Sequence, residues 1–273
     1  MERGICRICG LEKELTYEHI PPRKSGNSAK VNAYNLDYLY VDSEKELLEN
    51  LDKYTFIKLV EGKKYTKQHQ QGFGIRGTCG RCNSTIKAVY DQEYINLTQW
   101  VLQQITQEPN LISEAAKSVK IECPFEFIPL YFAKCVLAMF AVLYGEALFE
   151  RYADLRDFVM NADSLSFDSS KYKLYMYLLK SQVLYKCEPA TVGSVATEEG
   201  KTQFLDIIDG KSQPPLTLEF GAHPFGFILD IDNGVTRKDL ADMSPWITRN
   251  KYQDLGFHIN AFFKNSPAPC QFA

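Results

Sequence analysis

The apolar positions of this chain fall first at helical spacing and later in alternation. Leu97, Val101, Leu102 and Ile105 mark one face of a helix over 97–107. A looser stretch with Pro109, Ser113 and Ser118 follows. The run 129–144 is apolar but for Lys134, with a proline at its start and Gly145 just past its end. That asymmetry predicts a helix. The run is shorter than the roughly 18 to 20 residues that a membrane span needs, so it is expected in the core. A further helix is predicted over 148–160. Then the period changes. The segments 172–179, 191–196, 203–208, 216–220 and 225–231 are rich in β-branched and aromatic residues and are expected as strands. Asp209-Gly210 and Asn233-Gly234 supply turn signals between them. Ser244-Pro245-Trp246 breaks the chain before a last strand over 257–263.

The first 95 residues show less periodicity and more chemistry. Their acidic stretch Ser43-Glu44-Lys45-Glu46-Leu47-Leu48-Glu49 suggests a short helix with Ser43 as N-cap. No signal peptide is expected, since residues 1–10 are polar and already hold two cysteines. The composition, 45% hydrophobic and 13% aromatic, argues against disorder. A cytoplasmic location, where thiols stay reduced, is the expectation.

Eight cysteines must then be explained without disulfides. Cys123, Cys135, Cys187 and Cys270 stand singly, and Cys135 lies in the apolar run as core. The other four form two pairs at one spacing, Cys6/Cys9 in CRIC and Cys79/Cys82 in CGRC. A C-x-x-C turn aims two sulfurs at one point, and two such turns complete a tetrahedron around zinc. A redox dithiol would need only one pair. Four sulfurs leave no open coordination position, so a zinc here is structural.

Between the pairs stands Glu18-His19-Ile20-Pro21-Pro22-Arg23-Lys24-Ser25-Gly26-Asn27, and Asn83 follows the second pair directly in GTCGRCNST, residues 77–85. Over residues 1–95 this constellation resembles the HNH endonucleases, which are built on a ββα-metal finger. More narrowly, it resembles uncharacterised bacterial HNH-like proteins with an EH(I/V)PP motif and a four-cysteine zinc site. FAKCVLAMF and HPFGFILD are similar to the second half of those proteins, less specifically. The resemblance implies His19 as the general base that activates water against a phosphodiester. It implies Glu18 and Asn83 as ligands of a catalytic Mg²⁺ or Mn²⁺. Oxygen ligands suit such a hard ion, and a neutral imidazole is a natural base near pH 7. Two positions depart from the pattern: Ser84 stands where a second asparagine is usual, and Lys87 where a glycine is usual. His69, His223 and His258 have no such neighbours.

The net charge of −3 does not by itself favour nucleic acid. Charge is nevertheless concentrated: residues 62–90 hold Lys63, Lys64, Lys67, Arg76, Arg81 and Lys87 and no acidic side chain. With Arg23 and Lys24 these form the expected phosphate-binding patch. Nothing in the pattern suggests readout of base edges.

The sequence therefore predicts an α+β protein. A zinc-stapled ββα-metal (HNH) domain over 1–95 is followed by an α+β domain with an antiparallel sheet over 96–273, helices at 97–160 and strands at 172–263. The expected function is a metal-dependent endonuclease acting on nucleic acid, with DNA the first choice and bacterial defence a setting by analogy. The alternatives are a zinc-dependent nucleic-acid-binding module whose catalytic centre has decayed, and a protein-interaction scaffold. No membrane is expected as partner. The second domain carries no catalytic constellation, and self-association or a protein partner would use it.

Overall fold

The computed structural model describes residues 2–33, 67–107, 118–123, 125, 127–179, 184–186, 190–191, 216–232, 237, 240–247 and 257–264. Within them the α+β expectation holds. Strands β1 (Arg3–Ile5), β2 (Glu12–His19) and β5 (Gly74–Cys79) form a three-stranded antiparallel sheet in the order β1-β2-β5. A separate antiparallel ribbon joins β3 (Val31–Ala33) to β4 (Lys67–His69). After β5 the chain makes a π-helical turn, Cys82–Lys87, that runs into α1 (Ala88–Gln107). The antiparallel pair β2 and β5 thus leads directly into a helix, with β3 and β4 inserted between the two strands in the chain.

The second sheet has eight strands. Its path is β6 (Ser118–Cys123), β13 (Phe257–Lys264), β7 (Tyr172–Leu179), β11 (Phe225–Ile231), β10 (Leu216–Ala222) and β8 (Leu184–Lys186). The short strands β9 (Ala190–Thr191) and β12 (Ala241–Asp242) pair with β10 and β7. The pairings are antiparallel except β13 with β7, which is parallel. Strands β7 and β11 span the expected ranges, and β10 runs two residues further than expected.

Helix α2 (Pro129–Tyr144) is buried along Pro129–Val142, which is why its sequence is apolar on every side. One cluster of buried side chains runs from Cys6, Ile8 and Cys79 through Tyr94, Phe132 and Phe140 to Phe227 and Ile247. The cysteine turns and the eight-stranded sheet thus share a core through α1 and α2. The domain boundary expected at 95 falls inside α1. The helix expected over 148–160 is two, α3 (Glu146–Arg151) and α4 (Ala153–Met160), parted at Tyr152 (φ −113°, ψ 69°). The acidic helix over 43–49, the strand over 203–208, residues 192–196 and both turn signals lie outside the described residues. No helix among those residues is long and apolar enough to cross a membrane.

Candidate metal and nucleic-acid site

The cysteine turns converge. The sulfurs of Cys6, Cys9, Cys79 and Cys82 all lie within 4.8 Å of one another, and among the described residues this is the one such group of three or more potential ligands. A tetrahedral ion with metal–sulfur bonds of about 2.3 Å sets sulfurs about 3.8 Å apart, so the site can hold a metal ion such as zinc. The turn is built locally. Cys6 N donates to Leu11 O, and Gly10 N donates to Cys6 O at 2.8 Å, with Gly10 at a φ of 73° that side chains disfavour. Cys79 N donates to the Cys6 sulfur at 3.3 Å. A hydrogen bond from Cys82 is the largest influence holding the Cys6 thiol down to about 4. The same contact, with burial, pushes Cys82 up. The four sulfurs thus favour negative charge on one and resist it on its neighbour, the tension that a bound cation relieves.

Next to this staple, β2 sends alternate side chains to opposite faces. Tyr17 and His19 share one face, with ring centroids 5.2 Å apart and edge to face. Arg76 stands opposite Tyr17 in the β2–β5 register and is exposed, with Nη1 3.4 Å from Leu15 O. Tyr17 is 42% exposed. Its ring crosses β5 at Gly74, where a Cβ would come within 2.8 Å of the ring and 2.3 Å of Glu18 O. This face therefore offers an imidazole, an aromatic ring and a guanidinium side by side.

His19 Nε2 lies 2.9 Å from Gln71 O. A carbonyl only accepts, so Nε2 carries the proton and Nδ1 holds the lone pair. The loop after His19 fixes that carbonyl. Asn27 donates to Pro21 O at 2.8 Å and to Phe73 O at 2.7 Å, and accepts from Phe73 N at 2.7 Å. Gly72 N donates to Ala29 O. The Asn27 side chain thus clamps the EHIPPRKSGN loop to Phe73, in the turn between β4 and β5 that carries Gln71, a role that sequence reading missed although Asn27 ended the motif.

Comparison with protein-family models, with curated proteins and with solved structures finds no match. The roles of the remaining residues rest on their geometry.

Glu18 faces away from His19 and is 3% exposed. Lys87 Nζ sits 2.7 Å from its Oε1, and Thr78 Oγ1 donates to its Oε2 at 2.7 Å. Lys87 also pairs with Asp91 at 2.7 Å. Asn83 Nδ2 donates to Thr16 Oγ1 at 3.1 Å and to Tyr17 O at 3.3 Å, tying the π-helical turn to β2. Ser84 Oγ donates to Gly80 O at 2.6 Å, within its own turn. A hard divalent ion wants several open oxygens. Thr78 occupies Glu18 Oε2, and Oε1, which accepts no hydrogen bond, is met at ion-pair distance by the Lys87 ammonium, so these residues as they stand do not fit the catalytic Mg²⁺ or Mn²⁺ that the resemblance implies.

The basic patch also changes. Lys87 is 1% exposed, so it leaves the expected phosphate-binding set, because its charge is spent on Glu18 and Asp91. Arg23 and Lys24 are exposed on the 3₁₀ turn Arg23–Ser25, which is held to α1 by Gln99 Nε2 donating to Lys24 O at 2.9 Å. Arg76 and Arg81 are exposed. Lys67 lies in β4, and Lys63 and Lys64 lie outside the described residues. If this face meets nucleic acid, replacing Arg23, Lys24 and Arg76 by alanine is expected to weaken that binding for all sequences alike. If all three meet phosphates, the slope of log affinity against log salt should fall by about 2 to 3 on duplex DNA. A fluorescence-anisotropy salt titration measures this, and an unchanged slope removes these side chains from the interface.

Proposed function

We propose that the chain is an HNH-type endonuclease that hydrolyses phosphodiester bonds of nucleic acid, DNA first, in the cytoplasm. Zinc held by Cys6, Cys9, Cys79 and Cys82 would staple the fold. The observation that carries the reading is the His19 imidazole. Its Nε2–H is held by the Gln71 carbonyl, which keeps the basic Nδ1 in one tautomer at the end of β2. On that face a water giving its proton to Nδ1 would attack a phosphate held by Arg76, forming one P–O bond as the bond to a sugar oxygen breaks and that oxygen takes a proton from solvent, with Arg23 and Lys24 drawing in the backbone. Mg²⁺ or Mn²⁺ is implied by the resemblance alone, and no step is assigned to it.

His19→Ala is expected to fold, keep its zinc and bind nucleic acid, while cleaving roughly 10² to 10⁴ times more slowly. A plasmid-nicking assay with Mg²⁺, Mn²⁺ and chelator arms tests it. Cleavage by His19→Ala at the wild-type rate would exclude His19 as base.

A second reading, a zinc-dependent nucleic-acid-binding module that does not cleave, is favoured by the buried contact of Lys87 with Glu18. Salt-sensitive binding by the wild type with no cleavage under either metal would select it.

A further inference from the structure

We infer that Lys87 stands in the place of a divalent cation at Glu18, so that this carboxylate is closed to metal in the native chain. The inference concerns the same strand and helix as the nuclease reading but does not depend on cleavage.

Two carboxylates converge on one point, and that point is an ammonium. Lys87 Nζ lies 2.7 Å from Glu18 Oε1 and 2.7 Å from Asp91 Oδ1. Thr78 Oγ1 covers the second Glu18 oxygen at 2.7 Å, and the Cys135 thiol lies 3.3 Å from Asp91 Oδ1. Hydroxyl, thiol, two carboxylates and one cation thus fill the space between β2, β5, α1 and α2. Lys87 is 1% exposed and Glu18 3%. A cation brought to Glu18 Oε1 would meet the ammonium at contact distance, without water to screen it.

The ammonium is also held in its charged state. Burial pulls the Lys87 pKa down, but Glu18 and Asp91 more than offset it, so the pKa ends above its ordinary value. No ordinary pH removes this charge to make room for a metal. The arrangement resembles the charge pattern of a bound ion, with a positive centre between two carboxylates, but the charge comes from the chain itself. The i,i+4 spacing of Lys87 and Asp91 sets the second arm of the pair on α1, and the long lysine stem reaches Glu18 on β2.

The test uses the full zinc-loaded chain and Mn²⁺ as the probe, followed by electron paramagnetic resonance and by thermal unfolding. The wild type and Glu18→Gln are expected to bind Mn²⁺ alike, with no site that depends on Glu18. Lys87→Ala is expected to gain a Mn²⁺ site at least about tenfold tighter than anything in the wild type, the order of change that altering a metal's surroundings brings. Mn²⁺ should raise the melting temperature of that variant, and Lys87→Ala/Glu18→Gln should lose both effects. A wild-type Mn²⁺ site that Glu18→Gln abolishes would overturn the inference. So would a folded Lys87→Ala that gains no site. If Lys87→Ala does not fold, the comparison of wild type with Glu18→Gln decides alone. The nuclease reading fails separately, through the cleavage rate of His19→Ala.

Discussion

Cys79→Ser is expected to lose most of its bound metal and to melt at a markedly lower temperature. The sulfur of Cys79 is one of four within 4.8 Å, and three of those residues are buried: Cys6, Cys79 and Cys82. A closed four-sulfur site binds its ion mainly through thiolates, and a serine hydroxyl does not replace one at neutral pH. Where the ligands come together only on folding, binding free energy is folding free energy, about 10–16 kcal/mol in zinc-finger peptides. If even about 4 kcal/mol is lost here, the melting temperature should fall by roughly 8–16 °C. The loss should not stay local, because the cysteine turns belong to the buried cluster that continues through α2. Metal analysis and calorimetry, with a chelator-treated wild type beside the variant, measure both effects. Cys135→Ser is the control for metal content, since Cys135 stands apart from the cluster and should leave the metal in place. A Cys79→Ser protein that keeps a full equivalent of zinc and its melting temperature would show that the four sulfurs hold no structural ion.

The four-cysteine cluster was legible because its signal is local. Each C-x-x-C turn brings its own two sulfurs together, and only their meeting needed the fold. The helix Pro129–Tyr144 and the strands Tyr172–Leu179 and Phe225–Ile231 were legible for a different reason. They are buried on nearly every side, so their composition changes sharply at both ends. Helix α1 was half read. It begins at Ala88, and Tyr90 and Tyr94 already mark its buried face at a spacing of four. The break at Tyr152 left no trace in the periodicity. Strand β6 was missed because it exists by pairing with β13, far along the chain.

At the site, the adjacency of Glu18 and His19 was legible and their surroundings were not. Glu18 and His19 read as a pair because they are adjacent in sequence. Adjacency on a strand has the opposite consequence, since neighbouring side chains leave by opposite faces. That rule alone places one of the two away from the other's solvent face, and the burial of Glu18 selects which. Lys87 read as surface charge because lysines usually are. Its partners lie one turn on, at Asp91, and across the fold, at Glu18. Only the first could be seen in the sequence. The carbonyl of Gln71 carries no side-chain signature, so the tautomer of His19 became visible only with the backbone in place.

Lys134→Met should cost about 3 kcal/mol of stability, with the fold retained. Lys134 is the one charged residue in an otherwise apolar helix, and it is fully buried. Its ammonium donates to Asn161 O at 2.6 Å, Ala162 O at 3.0 Å and Ser164 O at 2.9 Å, just past the end of α4. It also lies 4.4 Å from the centre of the Phe158 ring. Helix α4 ends in carbonyls with no partner in their own helix, and one side chain from α2 satisfies the segment that follows. Burial pulls the ammonium down to about 8, so near pH 7 it still carries the three protons that its three bonds use. Methionine matches the stem in length and apolar character but donates nothing, so three hydrogen bonds are lost at about 1 kcal/mol each, Asn161 O keeping the one from Ser164 N. The carbonyls belong to residues that are partly exposed, so water can repair some of the loss, which holds the estimate at the low end. At about 2–4 °C per kcal/mol the melting temperature should fall by roughly 6–12 °C. Hydrogen exchange should show the largest loss of protection in α4 and the 161–164 turn, ahead of the cysteine turns. An unchanged melting temperature would mean that the three bonds only replace water, and that Lys134 contributes through its stem alone.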